Sequence, residues 1–264
     1  MMPPGGSAAR GEALAEMSVL QHQILTDKKM GEWLAAAADE DLNDVEQANL
    51  REMTRHYQQA TLLPESLVEA KSLAGSRCEH AWRTQRPAND WQGFSANLKE
   101  VVKLSREEAR LRAEAKGCTP YDALLDIFEP DMTSARLDVL FGDLKSWLPE
   151  LLAKVVEKQA QRSFVPPQGP FPTATQRELG LEAMKMLGFD FNGGRLDVSA
   201  HPFCGGVPED VRITTRYDED ELLSALFGVI HETGHARYEQ NLPRAWAGQP
   251  VALARSTAIH ESQS

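Results

Sequence analysis

The run LLSALFGVIHETGH at residues 222–235 constrains this chain most: an apolar stretch leads directly into two histidines four residues apart. The pattern predicts a helix from about Asp218 to Gln240. The segment is apolar around most of a helical circumference, so this helix is expected to be buried. Residues four apart on a helix sit one above the other, about 6 Å along the axis. The imidazoles of His231 and His235 can therefore lean onto one ion, with Glu232 beside it rather than on it. This is the HExxH pattern, in which the glutamate acts as a general base on a water activated by zinc. The competing reading is a chance match on an ordinary helix.

A catalytic zinc usually takes three protein ligands. Glu239 continues the same face, but it lies eight residues from His231, about 12 Å along the axis, too far to share the ion. The third ligand must come from another element. His260 and Glu261 are the downstream candidates, and upstream side chains, His201 among them, stay open on spacing alone.

Most of the chain before Leu187 reads as helix. Ser7 is placed to cap a helix from Ala8 to about Leu25, with Leu14, Met17, Leu20 and Ile24 near one face. Further helices are predicted over 28–38, 43–62, 65–84, 91–116 and 175–187, with Pro64 and Gly117 as terminators. The clearest amphipathic helix spans Thr133–Gln161. Leu137, Leu140, Leu144, Leu148, Leu151 and Val155 recur at its three- and four-residue spacing. Pro149 is expected to kink or split it, and its Leu and Trp stripe is expected to be core. Two short strands are predicted, Arg195–Ser199 and Val211–Tyr217, the second with one polar face. A last helix runs to the C-terminus. The fold class is mainly α, with a small β-sheet beside the HExxH helix. A helical lobe is expected over residues 1–164 and a metal-binding region over 165–264.

Charge and length exclude some functions. A net charge of −11 opposes a phosphate backbone, so nucleic acid is not an expected partner. No run approaches the roughly 20 apolar residues that cross a bilayer, and the N-terminus lacks a secretory pattern. Cys78, Cys118 and Cys204 form no CxxC pair, which fits a reducing compartment, and the expected location is the cytoplasm.

HETGHARYEQNLP followed by IHESQS resembles the carboxypeptidase Taq family of zinc metallocarboxypeptidases. His201-Pro202-Phe203 is similar to that family's HPF motif. Asp210, Arg212 and Thr214 match its DxRxT motif, and His260-Glu261-Ser262 its HES motif. Met2–Gly6 (MPPGG) and Tyr121–Thr133 (YDALLDIFEPDMT) also resemble family sequence. The resemblance implies a zincin-like helical metallopeptidase fold, with His231, His235 and Glu261 as metal ligands and Glu232 as general base. It implies zinc, with cobalt accepted in its place, a peptide substrate trimmed from its C-terminus, and a homodimer. His201, Asp210, Arg212, Thr214 and His260 are expected to bind substrate or support the site, and Arg212 is read as a partner of Asp210. Cys204 is read as a small buried residue rather than a nucleophile.

The resemblance implies family members about twice this length, and the chain is read as lacking the lobe that follows HES in relatives. The expectation is weaker zinc binding and little turnover by the chain alone. Two alternatives stand beside the carboxypeptidase: a catalytically silent helical module for dimerisation or partner binding, and a zinc oligopeptidase or endopeptidase.

Overall fold

The computed structural model describes residues 4–264. Of the MPPGG motif, Met2 and Pro3 lie outside the described residues. Ten helices and three strands follow in order among the described residues: α1 Ser7–Leu25, α2 Lys28–Ala37, α3 Asp44–Thr61, α4 Glu65–Gln85, α5 Trp91–Lys116, α6 Pro120–Phe128, α7 Ser134–Ala160, α8 Thr173–Met186, β1 Gly194–Val198, β2 Phe203–Val207, β3 Asp210–Thr215, α9 Leu222–Gln240 and α10 Thr257–Glu261. They fall into two compact units. The first comprises the residues up to Ile127 with Gly248–Val251, and the second Phe128–Ala247 with Ala252–Ser264.

In the first unit, local signals set the helix ends. Asn43 accepts from the backbone of Val45 and Glu46 while Glu46 reaches back to the Asn43 N–H, a reciprocal cap on α3. Gly117 ends α5 in the left-handed region at φ 65°, where a side chain would be strained. α1 buries its small-residue face, Gly11 and Ala15, against α4, leaving Leu14, Met17, Leu20 and Ile24 exposed. Ser7 does not cap α1. Gly6 holds that position, and the Ser7 hydroxyl lies 2.7 Å from His80 Nδ1. Leu67, Ala74 and Leu104 form the apolar contact between α4 and α5.

That unit also buries charge. Glu108 on α5 is buried between Lys71 and Arg112, and Arg112 Nε donates to it at 2.8 Å. Burial raises the Glu108 carboxyl pKa, but the hydrogen bonds and charges of Lys71 and Arg112 outweigh it and hold the group below its ordinary value. A carboxyl lowered on folding stabilises the fold above its unfolded pKa, about 4.3, and that contribution is lost as pH falls through the folded value. The urea midpoint is therefore expected to drop between pH 5 and pH 3. Glu108→Ala, which strands a buried guanidinium, is expected to cost about 3 kcal/mol at pH 7 and to flatten that acid limb. An unchanged midpoint in the variant would contradict this account.

The second unit is built on a three-stranded sheet in the order β1-β3-β2, with β1 parallel and β2 antiparallel to β3. β3 alternates over its first half only: Val211, Ile213 and Thr215 are fully buried and Asp210 and Arg212 face out, but Thr214, expected on the polar face, is buried too. Its buried face packs on α9, and with Leu196, Met184, Phe189, Val229 and Ala236 it forms the unit's core. Each buried Val, Leu, Ile, Phe or Met side chain here contributes roughly 1.5–3 kcal/mol. The Thr215 hydroxyl donates to the Ala225 carbonyl at 3.3 Å, so its burial leaves no polar atom unpaired. Gln240 fastens the far end of α9, donating to the carbonyls of Asp190 and Gly193 and accepting from Asp190 N.

Three sequence expectations change here. The sheet gains β2, which two adjacent glycines conceal from any periodicity. α7 runs through Pro149 as one helix and buries none of its residues; Leu148 and Leu151 are 40% and 48% exposed, so its stripe is not core. α9 starts at Leu222, capped by the Glu221 carboxylate, and is buried on one side only, with Phe227 62% exposed.

Candidate metal centre

α9 carries the first two candidate ligands on one side of its third and fourth turns. The rings of His231 and His235 meet edge to face, with centroids 4.9 Å apart. α10 brings the third. His235 Nε2 lies 3.5 Å from Glu261 Oε2, and His231, His235 and Glu261 offer ligand atoms that all lie within 4.8 Å of one another. Of the downstream candidates, Glu261 faces His235 Nε2, while His260 hydrogen-bonds His235 Nδ1 on one side and Glu239 on the other.

α10 has only five residues, too few to hold itself as a helix. Its position comes from a distant carboxylate. Glu129 accepts from Ser256 Oγ at 2.7 and 2.8 Å and from Ala258 N at 2.9 Å, while Ser256 Oγ caps Ile259 N at 3.0 Å. At the other end, Gly234 lets the chain pass close: a Cβ there would collide with the backbone of Gln263 and Ser264. Glu129 lies in the YDALLDIFEPDMT segment, but nothing in local spacing marks it as the residue that seats Glu261.

The site opens as a cleft of about 420 Å3, with Gly205 and Gly206 of β2 on one wall and Glu232 and Glu261 among its lining. Glu232 is buried at 6% exposure. Burial raises its carboxyl pKa, the charges of His231 and His201 pull it back, and Glu261 adds to the rise. Burial lowers the His235 pKa, with Glu261 opposing; His260 and His231 lower it further, and Glu239 opposes. A neutral imidazole is the form that ligates a metal. The Cys204 thiol is pushed up to about 12, first by burial and then by Glu232 and Glu239, so it carries no thiolate at neutral pH. Cys78, Cys118 and Cys204 are all free.

The remaining motif residues lie on and beside the sheet and do not line the cleft. Arg212 grips Asp210 through Nε at 3.0 Å and Nη2 at 2.6 Å, on the sheet face away from α9. That pair lowers the Asp210 pKa and raises that of Arg212. Thr214 Oγ1 accepts from Phe203 N at 3.1 Å and donates to the His201 carbonyl at 3.3 Å, pinning the HPF turn to β3. His201 itself is exposed, close enough for its charge to act on Glu232.

A family model described as "Carboxypeptidase Taq (M32) metallopeptidase" matches residues 1–264. Thermostable carboxypeptidase 1 of Thermus thermophilus is 39% identical over 277 residues, covering 100% of this chain and 54% of the relative. Carboxypeptidase 1 of Bacillus subtilis is 35% identical over 267 residues, covering 99% of this chain and 52% of its own length. The solved structure of Trypanosoma cruzi metallocarboxypeptidase 1 superposes with a TM-score of 0.85 at 50% identity, over 100% of this chain and 54% of that one. The chain thus spans about half the length of the curated relatives it matches.

Proposed function

The chain belongs to the carboxypeptidase Taq (M32) family of metallopeptidases, and from that premise we propose that its cleft holds one zinc ion and serves the removal of residues from peptide C-termini. The observation that carries the reading is the convergence of two imidazoles from α9 and a carboxylate from α10 on one cleft. Two imidazoles and a carboxylate are a donor set that suits zinc, and cobalt is accommodated by the same atoms. Ligands of one ion stand at most about 4.2 Å apart, so a small side-chain adjustment closes a group now spread over 4.8 Å.

His231, His235 and Glu261 would hold the ion. When bound, it supplies Lewis-acid chemistry, acidifying a water and polarising the scissile carbonyl. Glu232 takes the proton; its raised pKa suits it to accept that proton and return it to the departing amine. Among the described residues β2 is paired on one side only, with β3, and its outer edge offers backbone groups to an extended peptide. Asp210, Arg212 and Thr214 support this wall, and His201 biases Glu232 electrostatically. A homodimer and a cytoplasmic location belong to the same proposal; no described helix is long and apolar enough to cross a membrane.

The test is a pair of peptides differing only at the C-terminus. A free-carboxylate peptide is expected to be trimmed one residue at a time, and its C-terminal amide to be spared by at least 100-fold. Equal cleavage of both would favour the oligopeptidase or endopeptidase. Bound zinc with no cleavage of either would favour the silent module, a reading the exposed Leu223 and Phe227 of α9 also suit.

A further inference from the structure

We infer that Glu239 and His260 are positioning residues, a relay that fixes the tautomer of His235 and so aims the lone pair of its Nε2 into the metal site; the inference rests on the zinc reading above. The proton positions follow from one end of the relay. An ionised carboxylate only accepts hydrogen bonds. Glu239 Oε1 lies 2.8 Å from His260 Nε2, so that nitrogen carries the hydrogen. With one hydrogen on each imidazole, His260 Nδ1 is left as an acceptor. His260 Nδ1 lies 2.7 Å from His235 Nδ1, so His235 must donate there. By the same rule His235 Nε2 is bare, and it is the nitrogen that faces Glu261. Run in the opposite sense, the line would place a hydrogen on Nε2, where a cation cannot ligate.

The architecture suits this use. Glu239 stands one helical turn after His235 on α9, so a single rigid element holds both ends of the relay. His260 is inserted between them from α10, its ring 4.8 Å from that of His235 and 4.5 Å from that of Tyr238. The side chains of His260 and Glu239 are 19% and 27% exposed, which leaves water limited access to compete for these bonds. α10 therefore delivers the third ligand and the orienter of the second ligand from adjacent residues. Spacing excludes Glu239 as a ligand; the relay gives it a place two imidazoles behind the candidate metal position. Outer-shell partners of ligating histidines typically change metal affinity by about 10–100-fold when removed.

The experiment measures zinc affinity of the whole chain by chelator competition, with histidine 15N spectra of the zinc-loaded protein. His260→Ala and Glu239→Ala are each expected to weaken zinc binding at least tenfold while still taking up one ion at saturation. His260→Asn, which restores an acceptor near the Nδ1 position, is expected to recover most of the loss seen with alanine, as mere packing would not. In the zinc-loaded wild type, His235 is expected to be protonated at Nδ1. Smaller losses in both alanine variants, no recovery with asparagine, or a hydrogen on His235 Nε2 would overturn the relay while the metal reading stands. Should His260→Ala misfold, Glu239→Ala, on the last turn of α9, decides the affinity question alone. A wild-type chain that binds no zinc would overturn the metal reading, and the relay with it.

Discussion

Replacing Glu232 with glutamine is expected to slow peptide trimming by about 10²–10⁴-fold, the range that loss of a general acid–base commonly produces. Zinc affinity is expected to stay within threefold of wild type, because Glu232 lies outside the candidate ligand group of His231, His235 and Glu261. The substitution keeps the shape of a side chain that is 6% exposed, so the fold should carry it without repacking. Initial rates on a free-carboxylate peptide, with metal content measured on the same samples, check both halves. A variant that keeps a tenth of the wild-type rate would remove Glu232 from the proton path.

His231→Ala is expected to have the larger effect on metal. His231 is exposed, so its loss leaves the core of Val229, Ile213 and Met184 intact. It deletes one of three candidate donors, and the loss of zinc affinity should exceed the roughly 100-fold upper end seen for outer-shell changes. Calorimetric titration of wild type and variant reads this directly. Binding within tenfold of wild type would mean that the ion sits elsewhere.

The parts of this site that were legible in sequence are those whose chemistry is local. His231, Glu232 and His235 lie within one helical turn or so, and helix geometry alone brings them together. The alternation of Val211, Ile213 and Thr215 with polar residues revealed β3, although Thr214 is buried as well. Gly117 announced the end of α5 because few other residues tolerate φ near 65°. β2 left no such trace, since Gly205 and Gly206 have no side chains to alternate. Glu261 was one of several open candidates on spacing and was singled out only by family resemblance. Its seat depends on Glu129, 129 residues upstream of Ala258, and no local pattern encodes a contact over that distance. The stripe on α7 shows the converse limit. Period 3.6 marks an apolar face but not its partner, and on α7 that face is exposed among the described residues.

The most direct test is anomalous diffraction from a zinc-soaked crystal of the chain. A single strong peak is expected about 2.0–2.2 Å from a nitrogen of His231, from Nε2 of His235 and from a carboxylate oxygen of Glu261. A cleft with no peak, or a peak that leaves Glu261 unattached, would contradict the metal centre from which every functional statement above proceeds.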